Sequence, residues 1–151
     1  MPRTIQTLWR QHAHWQTLWT PWAMDALAVA LRLMLADVFL RSGWLKIQSW
    51  DSTLMLFEHE YAVPVLPHEL AAWLGTGGEL VLPALLLIGL FSRFSATGLF
   101  VLNAVAAVSY PDISDAGLKD HVLWGWWCVV LFCTGPGRLS LDHWLQRRIH
   151  P

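Results

Sequence analysis

Charged side chains are scarce in this chain. Only 14% of its 151 residues are Asp, Glu, Lys or Arg, whereas 55% are hydrophobic. A soluble domain carries about a quarter charged residues. The apolar residues also occur in long runs, which are typical of membrane spans. The composition therefore predicts an integral membrane protein surrounded by lipid bilayer, and the net charge of −1 gives no indication of nucleic-acid binding.

Sequence signatures of redox cofactors are also missing. The two cysteines, Cys128 and Cys133, do not form a CxxC pair, and no dinucleotide-binding loop or haem-ligation motif is visible. Five residues apart on a helix, the two thiols would point about 140° apart, which is too far for a disulfide. Residues 1–22 lack an uninterrupted apolar segment, so we expect no cleaved signal peptide.

The long apolar runs divide into four predicted spans, each near the roughly 20 residues that cross a bilayer. They cover about residues 23–47, 70–91, 94–110 and 118–133. Residues 1–22 predict an interfacial amphipathic helix, after which Pro21 fits the start of a new helix. Residues 135–151 predict an interfacial tail with Ser140 as a helix N-cap. We therefore expect an all-α polytopic protein, with a four-transmembrane-helix bundle over 23–134 and interfacial amphipathic helices at both ends.

The distribution of Lys and Arg predicts the orientation. No Lys or Arg occurs between Ser49 and Glu69, and the 110–120 loop has only Lys119. The N-terminal segment, the short turn after the second span and the C-terminal tail all carry Arg. Because cytoplasmic flanks are enriched in Lys and Arg, we expect both termini in the cytoplasm. The stretch "STLMLFEHEY" of the first outer loop predicts a short surface helix.

Charges inside the spans suggest a candidate catalytic site. Asp37, Arg41 and Lys46 lie in the first span and Glu79 lies in the second, although each charge at the bilayer centre costs about 2.5–3.5 kcal/mol. Three glycines just before Glu79 allow a neighbouring helix to approach, and Pro83 frees the carbonyl of residue 79. Asp37 and Arg41 are four residues apart, in the order that favours an ion pair on one helix. We also expect Glu79 to face Arg41 and Lys46. The site either handles a proton or a ligand, or is a purely structural ion pair.

Polar groups elsewhere are weaker candidates. Asp120 and His121 begin the fourth span, and His59 and His68 flank the outer loop. Histidine and carboxylate side chains bind metals, so these four are candidate metal ligands, although their spacing matches no ligand motif and a solvated loop has the same composition. Asn103, in the third span, predicts an interhelical hydrogen bond.

Three stretches, "RLMLADVFLRSGWLKI", "GTGGELVLPALLLIGLFSRF" and "GPGRLSLDHWL", together resemble the DoxX family of small four-helix membrane proteins. The resemblance covers about residues 25–145. Its most specific feature is the order of the motifs: Arg, Ser-Gly-x-x-Lys, Gly-Glu, Gly-Leu-x-x-Arg and Gly-Pro-Gly-Arg. Further stretches resemble a bacterial branch that is often encoded beside precursors of modified, metal-responsive secreted peptides.

This resemblance implies a protein of the bacterial cytoplasmic (inner) membrane. It also implies a link to redox chemistry, because some relatives are subunits of a thiosulfate:quinone oxidoreductase. With no redox motif of its own, the chain would depend on quinone or on a partner protein. Arg32 and Arg93 match the family pattern and, with Asn103, are candidate cofactor-binding residues.

Three functions remain open at this point. The first is a quinone-associated accessory subunit in a stress or metal-linked membrane system. The second is a small transporter or export factor for a metal or a metal-binding peptide, and the third is a non-catalytic scaffold. Expected partners are a membrane or periplasmic protein and a second copy of the chain.

Overall fold

The computed structural model describes the backbone of residues 3–149, with side chains at residue 15 and from residue 17 onward. All secondary-structure elements in this part of the chain are helices. Its six helices are α1 (Arg3–Gln48), α2 (Trp50–His59), α3 (His68–Ile88), α4 (Ser92–Ser109), α5 (Asp115–Thr134) and α6 (Leu141–Ile149). The all-α prediction is confirmed. The amphipathic character predicted for residues 1–22 depends partly on Ile5, Leu8 and His12. Their side chains are not among those that the structure describes.

Helix α1 is one continuous helix of 46 residues. It passes through Pro21, so the helix start predicted at this proline is not found. Proline removes one backbone hydrogen bond, but its φ is compatible with a helix, and the residues on either side of Pro21 continue the helix. The short surface helix predicted in the first loop corresponds to α2.

Helices α3, α4 and α5 coincide with the predicted second, third and fourth spans to within a few residues. Of the helices in residues 3–149, α3 is long and apolar enough to cross a membrane by length and composition. The other long helices contain more charged, polar or small residues, which lower their mean hydropathy.

Four helices enclose the main core. Helix α1 packs on α3, α3 on α4, α4 on α5, and α5 returns to α1. Each contributes one fully buried leucine, namely Leu35, Leu86, Leu99 and Leu131. A second, smaller core lies where Phe57 of α2 meets Ala71 and Ala72 of α3. The bundle therefore has an apolar centre of buried side chains, with α2 packed beside one end.

Glycines set the distance between neighbouring helices. A Cβ on Gly43 of α1 would lie 2.9 Å from Leu80 Cγ and 3.1 Å from Glu79 Cβ, and a Cβ on Gly78 would lie 2.5 Å from Leu102 Cδ1. The close approach predicted at the glycines before Glu79 thus occurs at Gly78 and at Gly75, where a Cβ would lie 3.1 Å from Phe57 Cζ. A Cβ on Gly77 would meet nothing within 4 Å.

This contrast gives a paired prediction. Gly43→Ala should destabilise the protein by about 1–3 kcal/mol, because the added methyl group forces α1 away from α3. Gly77→Ala should be neutral, or stabilising by up to about 1 kcal/mol, because alanine favours a helix more than glycine does. Thermal unfolding of both variants in the same detergent measures the difference, and equal melting temperatures would contradict the close contact at Gly43.

Candidate functional site

Lys46 of α1 and Glu79 of α3 form a buried ion pair. The Lys46 Nζ donates to Glu79 Oε1 at 2.8 Å and Oε2 at 2.6 Å, and to Ser42 Oγ at 2.8 Å. The two charged side chains are only 12% and 10% exposed. An ammonium group has three N–H donors, so these contacts use all of them. The structure therefore brings together two of the four residues predicted for the candidate catalytic site.

The other two, Asp37 and Arg41, pair with each other on the outside of the bundle. Arg41 Nε donates to Asp37 Oδ1 at 2.7 Å, and the side chains are 77% and 58% exposed for Arg41 and Asp37. The expectation that Arg41 faces Glu79 is therefore wrong. On a helix, Arg41 lies about 140° and Asp37 about 180° around the axis from Lys46. When Lys46 points inward, both of these residues must point outward.

A cavity of about 400 Å³ opens beside the Lys46–Glu79 pair, between α2, α3, α4 and the segment that joins α2 to α3. Its walls are mostly apolar and include Phe57, Val63, Leu66, Ala71, Leu74, Val101, Leu102 and Val105. The polar groups lie at Lys46, Tyr61, Glu79 and Ser109. An apolar cavity with a few convergent polar groups is the usual form of a small-molecule site.

Tyr61 supplies a neutral hydroxyl group beside the charged pair. Ser109 also lines the cavity, but its hydroxyl oxygen, like that of Thr76 in α3, is buried and has no hydrogen-bond partner among the described residues. Tyr61 packs edge-on against Phe57 and Tyr110, with ring centroids 4.9 and 5.6 Å away. Burial, reinforced by the charge of Glu79, raises the pKa of Tyr61, so its phenol remains a neutral donor at physiological pH.

The segment over the cavity is held in a strained conformation. Val65 has φ +72°, a left-handed value that β-branched residues rarely adopt. Its side chain is fully exposed, whereas Val63 and Leu66 on either side line the cavity. The Ala62 N–H donates to the Ser109 carbonyl at 2.8 Å and fastens this segment to the end of α4. Strain of this kind costs about 1–3 kcal/mol and is frequent at ligand sites.

Arg32 lies far from this cavity, about 21 Å along α1 from Lys46. Its guanidinium donates to four backbone carbonyls: Leu86 at 2.8 Å, Leu87 at 2.5 Å, Leu139 at 2.7 Å and Pro136 at 3.2 Å. The last carbonyls of a helix have no intrahelical partner, so Arg32 satisfies the end of α3 while holding the loop before α6. These contacts give Arg32 a structural role at this end of the bundle.

Asn103 joins α4 to α5, as the sequence predicts. Its Nδ2 donates to the His121 carbonyl at 2.7 Å, and its Oδ1 lies 2.8 Å from His121 Nδ1. The His121 ring also packs edge-on against Trp124. Both polar groups of the Asn103 amide are thus engaged by α5.

The comparison with known proteins decides the family. The DoxX family profile matches residues 27–111, more than half of the chain. The chain belongs to the DoxX family. It is also 31% identical over 130 residues to an uncharacterized protein of Haemophilus influenzae, covering 80% of this chain and 83% of that relative. No solved structure matches the chain. DoxX proteins are membrane-associated, which agrees with the predicted membrane nature and with the apolar helix α3.

The candidate metal ligands of this DoxX protein do not converge. His59 lies near only one carboxylate, Glu58, at 3.9 Å, and His121 is bonded to Asn103. Across the described side chains, no three His, Cys, Asp or Glu residues come together in a group that could hold a metal ion, so neither Asp120 nor His68 belongs to one.

Several residues with specific contacts were not singled out from the sequence. Tyr61 and Ser109 at the cavity are examples, because one aromatic residue in a loop and one serine at a helix end have no distinctive local pattern. Asp25 is another: its carboxylate accepts from the Arg138 backbone N–H at 2.8 Å and from Arg138 Nε at 2.5 Å. The Gly-Pro-Gly-Arg motif of the family could have indicated a role for Arg138, but not its partner 113 residues away.

Removing one charge of the buried pair tests its energetic weight. Lys46→Met should destabilise the protein by about 3–5 kcal/mol, because it leaves Glu79 buried without its partner. Arg41→Met, which breaks the exposed pair on the same helix, should cost about 0–1 kcal/mol. Denaturant unfolding in detergent measures the free energy of unfolding of both variants. The double variant K46M/E79L should regain much of the stability that Lys46→Met loses. Equal destabilisation by the two single variants would show that Lys46–Glu79 is not buried.

Proposed function

We propose that this DoxX protein is a quinone-binding accessory subunit of the bacterial inner membrane. In this proposal, the cavity beside Lys46 and Glu79 holds the ring of a membrane-soluble quinone. The observation that carries it is a fully hydrogen-bonded, buried ion pair at the wall of an otherwise apolar 400 Å³ cavity. An ion pair with a purely structural role does not require a cavity beside it.

The proposed topology has four spans, formed by α3, α4, α5 and the part of α1 after residue 22, with both termini in the cytoplasm. Large apolar side chains on the outward faces support it, among them Leu33, Val81, Val108 and Phe132, each at least half exposed. A soluble protein rarely leaves so many apolar side chains exposed. The arginines of the α3–α4 turn and of the tail favour the cytoplasmic side for that end. The quinone cavity then lies in the outer half of the membrane.

The chemistry of the cavity suits a quinone. A quinone has two carbonyl oxygens that accept hydrogen bonds, and a flat ring with an apolar tail. The Tyr61 phenol is a neutral donor on a residue that lines the cavity, so it can donate to a carbonyl oxygen. The Glu79 carboxylate can accept from a hydroxyl of the reduced quinol, and the apolar walls suit the ring and tail.

The proposed role is accessory because electrons must come from elsewhere. Reducing a quinone to a quinol requires two electrons and two protons. The chain would supply the binding site, and a partner oxidoreductase of the membrane or periplasm would supply the electrons. Resemblance to the branch encoded beside modified-peptide genes supports placing this partner in a metal-linked or stress-response system.

Quinone binding to the purified protein in lipid nanodiscs tests the proposal. Titration with a short-tailed ubiquinone, followed by tryptophan fluorescence, should give saturable binding to the wild type and to the D37N/R41Q variant, whose altered pair lies outside. In a parallel titration with the reduced ubiquinol, Glu79→Gln should weaken binding about tenfold, because the quinol hydroxyl loses its charge-assisted hydrogen bond to the carboxylate. Val105→Trp should abolish binding by filling the cavity.

Val108→Trp is the matched control for the filled cavity, because Val108 lies on the same helix, is 79% exposed and does not line this cavity. It should bind like the wild type. If Val105→Trp and Glu79→Gln also bind like the wild type, quinone does not occupy this cavity, and the pair has the structural role of a scaffold protein.

A further inference from the structure

A second cavity, of about 690 Å³, lies at the opposite end of the bundle. It opens between α1 near Asp25, the turn from α3 to α4, and the segment from the end of α5 into α6. Its polar lining comes mainly from Asp25, Arg93, Arg138, Asp142, His143 and Gln146. No residue of the proposed quinone cavity lines it.

Both carboxylates in this cavity are already engaged by the protein. Asp25 accepts two hydrogen bonds from Arg138, and Asp142 accepts from the backbone N–H groups of Phe91 and Ser92, each at 2.8 Å. The Arg138 guanidinium also stacks over the Trp22 ring, 4.5 Å from its centroid. Each carboxylate is therefore hydrogen-bonded by other groups, and neither bonds to the further cation of the lining.

Arg93 is that further cation. Within residues 15 and 17–149, its guanidinium has no hydrogen bond or ion pair, while its side chain lines the cavity. Its Nη2 lies 4.0 Å from the place where a Cβ on Gly135 would be, so the guanidinium reaches across the cavity toward the α5–α6 loop. The lining carries two carboxylates and two arginines, so its formal charge is zero, but among the described side chains Arg93 is the charged group of the lining that has no direct partner. His143 and Gln146 also line this cavity.

Aromatic side chains surround this charge. Phe91 and Phe94, on either side of Arg93 in the chain, line the cavity and are 64% and 68% exposed. Trp22 and Met24 are also exposed at its α1 side. Aromatic rings beside arginine are characteristic of the headgroup level of a bilayer. A soluble phosphate compound would not need this apolar rim, whereas a lipid has acyl chains that would contact it.

We propose that this cavity binds the phosphate group of an anionic phospholipid. Arg93 donates two parallel N–H groups to phosphate oxygens, an arrangement that the planar guanidinium favours. His143 and Gln146 contact the remaining headgroup oxygens, and Phe91 and Phe94 lie along the first acyl carbons. This site requires that the protein is embedded in a bilayer, but it does not depend on quinone binding.

Native mass spectrometry of the full-length protein, released from nanodiscs, measures this interaction. Discs of phosphatidylcholine alone are titrated with phosphatidylglycerol. Arg93→Gln should lower phosphatidylglycerol affinity about tenfold, the effect of one charge-assisted contact. Arg147→Gln removes the same charge from the exposed last turn of α6, outside the cavity, and should bind like the wild type. Arg93→Lys keeps the positive charge but loses the two parallel N–H donors of the guanidinium. Its phosphatidylglycerol affinity should therefore lie between those of the wild type and Arg93→Gln.

Equal losses in Arg93→Gln and Arg147→Gln would overturn the proposal, since they indicate diffuse attraction to a charged surface. No loss in either variant would also overturn it. In a second arm, inorganic phosphate is added to discs of phosphatidylcholine alone and the melting temperature is recorded. If phosphate raises the melting temperature of the wild type but not of Arg93→Gln, while phosphatidylglycerol does not bind, the ligand of this cavity is a soluble phosphate compound and not a lipid. Equal melting temperatures of wild type and Arg93→Gln without added ligand establish that the variant is folded.

Discussion

Burial of the Lys46–Glu79 pair is the constraint on which the structure around the cavity depends. Two charges removed from water are tolerated only when every donor and acceptor has a partner and the distance is short. The third Lys46 donor therefore bonds to Ser42, one turn earlier on the same helix. The short distance requires close contact between α1 and α3, which Gly43 provides by leaving space for Leu80 and for the Glu79 side chain.

The same point fixes the position of α2. The Lys46 carbonyl, in the last turn of α1, accepts from the Thr53 hydroxyl at 2.8 Å. This bond turns the chain back so that Phe57 reaches the α3 surface near Gly75, where a Cβ would lie 3.1 Å from Phe57 Cζ. Phe57 then forms one wall of the cavity. Pairing of Lys46 with Glu79 and formation of the cavity are therefore consequences of one arrangement of α1, α2 and α3.

The sequence predicts the helices well and the contacts unevenly. Apolar runs and helix breakers predict α3, α4 and α5 to within a few residues, and the serine before α6 is its N-cap, accepting from the His143 N–H. The pairing of Lys46 with Glu79 is predictable because an inward carboxylate needs a cation. The spacing of four residues also predicts the Asp37–Arg41 pair correctly. Helical periodicity indicates which residues share a face but not which face turns inward, and for that reason the expected contact of Arg41 with Glu79 is wrong.

The contacts that no local pattern predicts join residues far apart in the chain. Arg32 bonds to carbonyls 54 to 107 residues away, and a backbone carbonyl is present at every residue, so the sequence cannot identify its partners. Yet Arg32 does at one end of α3 what Lys46 does nearer the middle: each ties α3 to α1 through a buried cation. Helix α3 is consequently fixed to α1 at two points, with Pro83 buried between them. The proposed quinone cavity and the cavity beside Arg93 lie at opposite ends of the bundle, and each is lined by residues of α1. The contacts of Lys46 and Arg32 therefore hold α1 against α3 near both cavities.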